Sequence, residues 1–250
     1  EGTKAVEVSA TAPRGRFRLS VHEGGLMLES KKGERLVLLE GCADHVVFFP
    51  KPEDCRTKGT AGARGKKGAK PSRPGNLVLI VLKGEADSGG RPVVFREKKI
   101  KQVCFQLPVA EIESTCENGS NETTNDTDDR WVELVTSSLG VDPKNVARVY
   151  NPAHLPRKRK RDRVAPWAFR SDDSLDGSST TAGGMPFVRC YSGVNDGALY
   201  PLEEGLLFYK PAEFVRRSRL HSISCGRGTG SSGGSKYVDL VATLEGDDGD

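Results

Sequence analysis

Apolar residues in this chain come in short runs, with polar residues at alternate positions or with Gly, Pro and charged clusters between them, the pattern of antiparallel strands. The first half holds seven such runs, at residues 17–21, 26–28, 36–39, 45–49, 77–82, 93–95 and 100–107. The turn His22-Glu23-Gly24-Gly25 makes the first two a hairpin. Residues 1–15 are polar and Gly-containing, and are expected to enter the fold loosely. Downstream, Trp131, Leu134, Val135 and Leu139 follow the i, i+3, i+4, i+8 spacing of one helix face, with Thr127 or Asp128 as the expected cap and Gly140 as the stop. About six further strand-like runs follow, at 187–191, 198–200, 205–209, 214–215, 221–225 and 237–244.

These runs predict a mainly β protein of two small units. Residues 1–150 form the first, with a basic loop at 56–75 and an acidic insertion at 111–129; 151–184 form a basic and Ser/Gly-rich linker; 185–250 form the second. If the second unit repeats the first, its last strand and capping helix lie outside the sequence.

Hydrophobic residues make up 36% of the chain, low for a compact fold, so the polar excess belongs to loops and linkers. No apolar run approaches the roughly 20 residues of a membrane span. The six cysteines, Cys42, Cys55, Cys104, Cys116, Cys190 and Cys225, form no CxxC pair, and Cys104 and Cys225 fall inside apolar runs. They read as reduced, partly buried thiols of an intracellular protein.

Charge changes the picture more. The net charge is only +4, yet 56–73 carries seven bases and no acid, 111–129 seven acids and no base, and 157–163 six bases against one Asp. Such blocks point to charged partners. Arg56, Lys58, Arg64, Lys66, Lys67, Lys70 and Arg73 make one basic arm, and Arg157, Lys158, Arg159, Lys160 and Arg161 a second. Neither arm carries an aromatic for base stacking, so both are candidates for double-stranded DNA without sequence preference, the second also for a nuclear-localisation signal.

Patterns that suggest catalysis fail on context. Gly228-Thr229-Gly230-Ser231-Ser232-Gly233 fits GxGxxG and Gly230 to Gly234 fits GxSxG, but a strand-like run follows where both sites need a helix. His22, His45, His154 and His221 lie far apart, and His45 and His221 read as hydrogen-bonded histidines at strand starts. No metal site, cofactor, small-molecule substrate or enzyme is inferred. The sequons at Asn118, Asn121 and Asn125 are expected to stay unmodified, because the nuclear-type basic block argues against secretion.

Several stretches resemble one family. Leu26-Met27-Leu28, the run from His45 to Glu53 and the run from Ile100 to Leu107 resemble the first pleckstrin-homology (PH) module of the fungal histone H3-H4 chaperones of the regulator-of-Ty-transposition family, relatives of the middle domain of a FACT subunit. The run from Gly197 to Leu202, Gly205-Leu206-Leu207-Phe208, Lys210-Pro211 and the run from Leu220 to Ser224 resemble the second module. The resemblance implies two PH-like barrels in tandem, each of seven antiparallel strands with a capping helix. It also implies a nuclear histone chaperone for nucleosome assembly that binds H3-H4, prefers H3 acetylated on a core lysine, and contacts DNA. In that family the segment after the Ile-Ser pair supplies histone contacts. Here it places Ser224, Thr229, Ser231, Ser232, Ser235, Lys236 and Tyr237 as histone-binding candidates, although a Gly/Ser loop replaces the family's shorter turn. The alternative is a phosphoinositide-binding PH module at a membrane surface. It is disfavoured because the hairpin turn at 22–25 lacks Lys and Arg, with Arg16 and Arg18 on the preceding strand and Lys31 and Lys32 beyond the next.

Overall fold

In the computed structural model of the chain, residues 5–55, 76–84, 92–107, 124–149, 186–225 and 239–245 are described. They form a mainly β structure with one long helix.

The first unit is built on an eight-stranded sheet. Strands β1 (Val6–Ala12), β2 (Arg14–His22), β3 (Gly25–Ser30) and β4 (Arg35–Leu39) run as a meander; β5 (Ala43–Pro50), β6 (Asn76–Leu82) and β9 (Gln102–Gln106) continue it through β1, and β10 (Val146–Arg148) adds to β5 in parallel. The order β10-β5-β6-β9-β1-β2-β3-β4 curls so that alternate residues of every long strand face one core. Val8, Phe17, Leu19, Leu28, Leu36, Phe48, Ile80 and Phe105 belong to it.

Helix α1 (Thr124–Leu139) supplies Trp131, Val135 and Leu139 to the same core. It ends in a Schellman motif: Gly140 has φ +59, its N–H bonds Ser137 O at 3.1 Å, and Val141 N–H bonds Thr136 O at 3.1 Å. Gly41 N–H takes up the carbonyl of Leu139 at 2.9 Å, tying the helix end to the β4–β5 turn. The expected stop at Gly140 holds, but Thr127 or Asp128 is not the start. The helix begins at Thr124.

Two strand expectations need correction. Within the expected loose entry at 1–15, the described residues form an ordered strand, Val6–Ala12, between β2 and β9. Conversely, the run at 93–95 does not join the sheet. It forms a two-residue hairpin of β7 (Val94–Phe95) and β8 (Lys98–Lys99). Phe95 from this hairpin packs edge-on against Phe17 in the core, and Arg96 bonds Glu34 Oε2 at 2.6 and 3.0 Å across the β3–β4 turn. The first eight-stranded sheet is therefore antiparallel over seven strands, with β1 in place of the expected seventh run and β10 as a parallel addition.

The second unit is a four-stranded antiparallel sheet in sequential order, β11 (Val188–Ser192), β12 (Asn195–Pro201), β13 (Gly205–Tyr209) and β14 (Glu213–Arg216), followed by a separate ribbon of β15 (Leu220–Cys225) and β16 (Leu240–Leu244). It repeats the layout of the first. Each begins with a four-strand meander, and in each the fifth and sixth strands pair antiparallel. The third strand of each opens on a glycine with no room for a Cβ. At Gly25 (φ +149) a Cβ would meet Leu38 O, and at Gly205 (φ +158) it would meet Val215 O.

Candidate functional site

Strand β5 is a near-continuous apolar run because both of its faces are covered. Val46 and Phe48 point into the first core, while Val47 and Phe49 point outward with Leu77, Leu79 and Cys104 from β6 and β9. The second sheet lies against this outer face with Phe187, Ala198, Tyr200, Leu207, Tyr209 and Phe214. Phe49 makes edge contacts with Tyr200 and Tyr209 at ring separations of 5.3 and 5.6 Å.

Polar contacts fix how the two units sit. Tyr200 Oη donates to Pro50 O at 2.7 Å, Gln102 Nε2 donates to Ala212 O, and Lys210 Nζ meets Glu53 Oε1 at 2.8 Å. Asp44 accepts from His45 Nδ1 at 2.6 Å and pairs with Arg216, while the His45 ring rests on Phe214. His45 is thus a hydrogen-bonded residue of a strand start, as its sequence position suggests. Burial pushes the Cys104 thiol up to about 12, against smaller lowering effects from the Thr11 hydroxyl and the charge of Lys51, while Thr11 Oγ1 donates to the Cys104 carbonyl at 3.4 Å. Burial also pushes the Glu53 carboxyl up, but the hydrogen bond and charge of Lys210 outweigh it and hold the group below its ordinary value.

The ribbon β15–β16 stands apart from this packing, and both its faces meet solvent. The register pairs Ile223 with Ala242 on one face, which Leu240 shares, and Ser222 with Thr243 and Ser224 with Val241 on the other. One face is therefore apolar through Ile223, Leu240 and Ala242, and the other carries three hydroxyls around Val241. Ile223, Leu240 and Val241 remain 51%, 47% and 52% exposed. A two-stranded ribbon in water is marginally stable alone. Exposed apolar side chains on such an element are the surface signal of a partner site. Exposed Arg217, Arg219 and His221 flank its base.

Of the histone-binding candidates, Ser224 is placed, exposed, on the hydroxyl face of β15. Thr229, Ser231, Ser232, Ser235, Lys236 and Tyr237 lie outside the described residues, as do all the DNA-binding candidates of both basic arms. Topology still relates the two loops. The basic segment 56–75 joins β5 to β6, and the Gly/Ser segment joins β15 to β16, so both occupy the fifth-to-sixth strand connection of their units. Sequence reasoning did not single out the ribbon's exposed Ile223, Leu240, Val241 and Thr243 as candidates. Their alternation marks a strand, but nothing in it tells an exposed apolar face from a buried one. Among the described residues no group of His, Cys, Asp and Glu is arranged to hold a metal, and no helix is long and apolar enough to cross a membrane.

Residues 186–249 match the family model described as the middle domain of histone chaperone Rttp106-like proteins. The match bears out the resemblance to that chaperone family over the second unit and covers both strands of the exposed ribbon. No curated protein matches the chain.

Proposed function

We propose that this protein is a non-enzymatic nuclear histone chaperone that binds H3-H4 and double-stranded DNA during nucleosome assembly, with the β15–β16 ribbon and its loop as the histone-contacting element. The observation that carries this reading is the coincidence of two features: the histone-chaperone match at 186–249 falls on the one unit whose ribbon leaves Ile223, Leu240 and Val241 open to a partner. The ribbon offers an apolar face and a hydroxyl face, which suits an extended peptide held by side-chain contacts and strand-edge hydrogen bonds.

The tandem-PH reading, with domain limits at 150 and 185, is supported by the repeated meander, by the paired glycines Gly25 and Gly205, and by the helix that fills the first barrel. The basic arms are assigned to the DNA backbone on charge alone. The phosphoinositide alternative gains no support from the family match. The deciding experiment is a pull-down at moderate salt of the full chain with H3-H4 beside vesicles containing phosphoinositides. Retention of H3-H4 is expected; vesicle binding without H3-H4 binding refutes the reading.

A further inference from the structure

The segment Arg217-Ser218-Arg219-Leu220-His221-Ser222-Ile223, which leads into β15, places guanidinium groups five and three residues before a serine and an apolar residue directly after it. Arginines stand two apart elsewhere, at Arg14, Arg16 and Arg18 and at Arg157, Arg159, Arg161 and Arg163, but none of those pairs has a hydroxyl three residues further on. The spacing suits a basophilic protein kinase, whose substrate cleft pairs carboxylates with arginines at those two positions while the peptide lies extended. Arg216 pairs with Asp44 of the first unit, whereas Arg217 and Arg219 are exposed and no ion pair among the described residues uses them. The turn Arg217–Arg219 contains no buried residue, and Ser222 and Ile223 are exposed on β15. Among the described residues β15 pairs with β16 alone, so its other edge is open, and a two-stranded ribbon of this kind opens readily. The neighbouring serines lack the spacing: Ser218 has Glu213 and Val215 at the corresponding positions, and Ser224 has Arg219 and His221.

We infer that Ser222 is a phosphoacceptor for a basophilic serine/threonine kinase, and that its phosphate is a switch on the ribbon. In the transfer, Ser222 Oγ forms a bond to the γ-phosphorus of a nucleoside triphosphate as the bond from that phosphorus to the bridging oxygen breaks. The nucleoside diphosphate leaves, and the hydroxyl proton passes to the kinase's catalytic carboxylate. The product adds about two negative charges to the hydroxyl face of the ribbon, opposite Thr243. Neither β15 nor β16 carries an acid, so the phosphate meets no like charge on its own strands. The effect of the switch rests on the proposed function: the modified face offers acceptor oxygens to the arginines and lysines of a basic partner and strengthens its binding.

The test is incubation of the full chain with a nucleoside triphosphate and the catalytic domain of a kinase that requires arginine at both upstream positions, followed by phosphopeptide mapping by mass spectrometry. A phosphate on Ser222 is expected, absent in Ser222→Ala and retained in Ser218→Ala and Ser224→Ala. Arg217→Ala and Arg219→Ala should each slow the transfer about tenfold, the loss of one charge-assisted pair in the kinase cleft. All five positions are exposed, so the variants should fold, which unaltered thermal unfolding verifies. Phosphate on Ser218 or Ser224 in place of Ser222 would overturn the inference. So would an unmodified full chain under conditions that modify a free peptide of residues 215–225. For the switch, affinity for H3-H4 is compared before and after modification over a salt series, and a gain of about threefold or more that fades as salt rises is expected. An unchanged or weaker affinity refutes the switch, and a chain modified on Ser222 that ignores H3-H4 in both forms refutes the chaperone reading and leaves the acceptor standing.

Discussion

Tyr200 donates its phenolic hydrogen to the carbonyl of Pro50 at 2.7 Å, in a fully buried contact that joins the second sheet to the end of β5 across 150 residues of sequence. The same ring lies edge-on to Phe49 and tilted on Phe187. Removing only the hydroxyl, in Tyr200→Phe, should cost about 1–2 kcal/mol by leaving a buried carbonyl short of a donor. Tyr200→Ala removes the ring as well and should cost about 3–5 kcal/mol. Urea unfolding of the full chain measures both, and equal stabilities for the two variants would contradict the contact.

Thiol chemistry reports on the same junction. Cys104 faces away from the first core and is buried in the cluster that the second sheet shares, and Cys55 lies in the same cluster. With its thiol pushed up to about 12, Cys104 should resist alkylation at pH 8 while the partly exposed Cys42 and Cys190 react. Peptide mapping by mass spectrometry reads each site. In Tyr200→Ala the protection of Cys104 should fall as the units part.

The Glu53–Lys210 pair adds a pH dependence. The folded carboxyl titrates below its ordinary value of 4.5, so the pair contributes stability that is fully present above about pH 4.5 and is lost as the pH falls through the lower folded value. Glu53→Gln removes this contribution. The stability gap between the wild type and Glu53→Gln should therefore be constant from pH 7 to about pH 5 and shrink below it. A gap that widens with acid would reverse the sign and exclude the pair as its source.

The repeat makes its own prediction. Gly25→Ala and Gly205→Ala should each destabilise the protein by about 1–3 kcal/mol, because each places a Cβ against the carbonyl of a paired strand at a backbone angle that L residues avoid. Gly24→Ala, where a Cβ meets nothing, serves as the neighbouring control in thermal unfolding.

Where burial is one-sided and the side chains are large, the sequence made the fold legible. The strands β2 to β6 and the face of Trp131, Val135 and Leu139 follow directly from alternation and helical spacing. Strand β1 escaped because Val-Glu-Val-Ser-Ala-Thr-Ala buries only Val8 and Ala10, a signal too weak to stand out from a polar terminus. The run at 93–95 misled because alternation reports a strand but not its partner. Strand β5 showed its two-sided burial as a continuous apolar run, yet that run cannot name the sheet that covers it. At the site, the family-like strand is visible in the sequence up to Ser224, whereas the exposure of Ile223, Leu240 and Val241 shows only in the structure, where no layer of described residues covers the ribbon.

The central claim is that this ribbon holds histones. The most direct measurement is the affinity of the full chain for H3-H4 at physiological salt, for the wild type and for Ile223→Asp/Leu240→Asp. Both residues are exposed, so the substitutions leave the two cores intact, which unchanged thermal unfolding verifies. Loss of at least tenfold in affinity is predicted from burying two unpaired carboxylates in an apolar contact. Wild-type affinity in the folded double variant would contradict the claim.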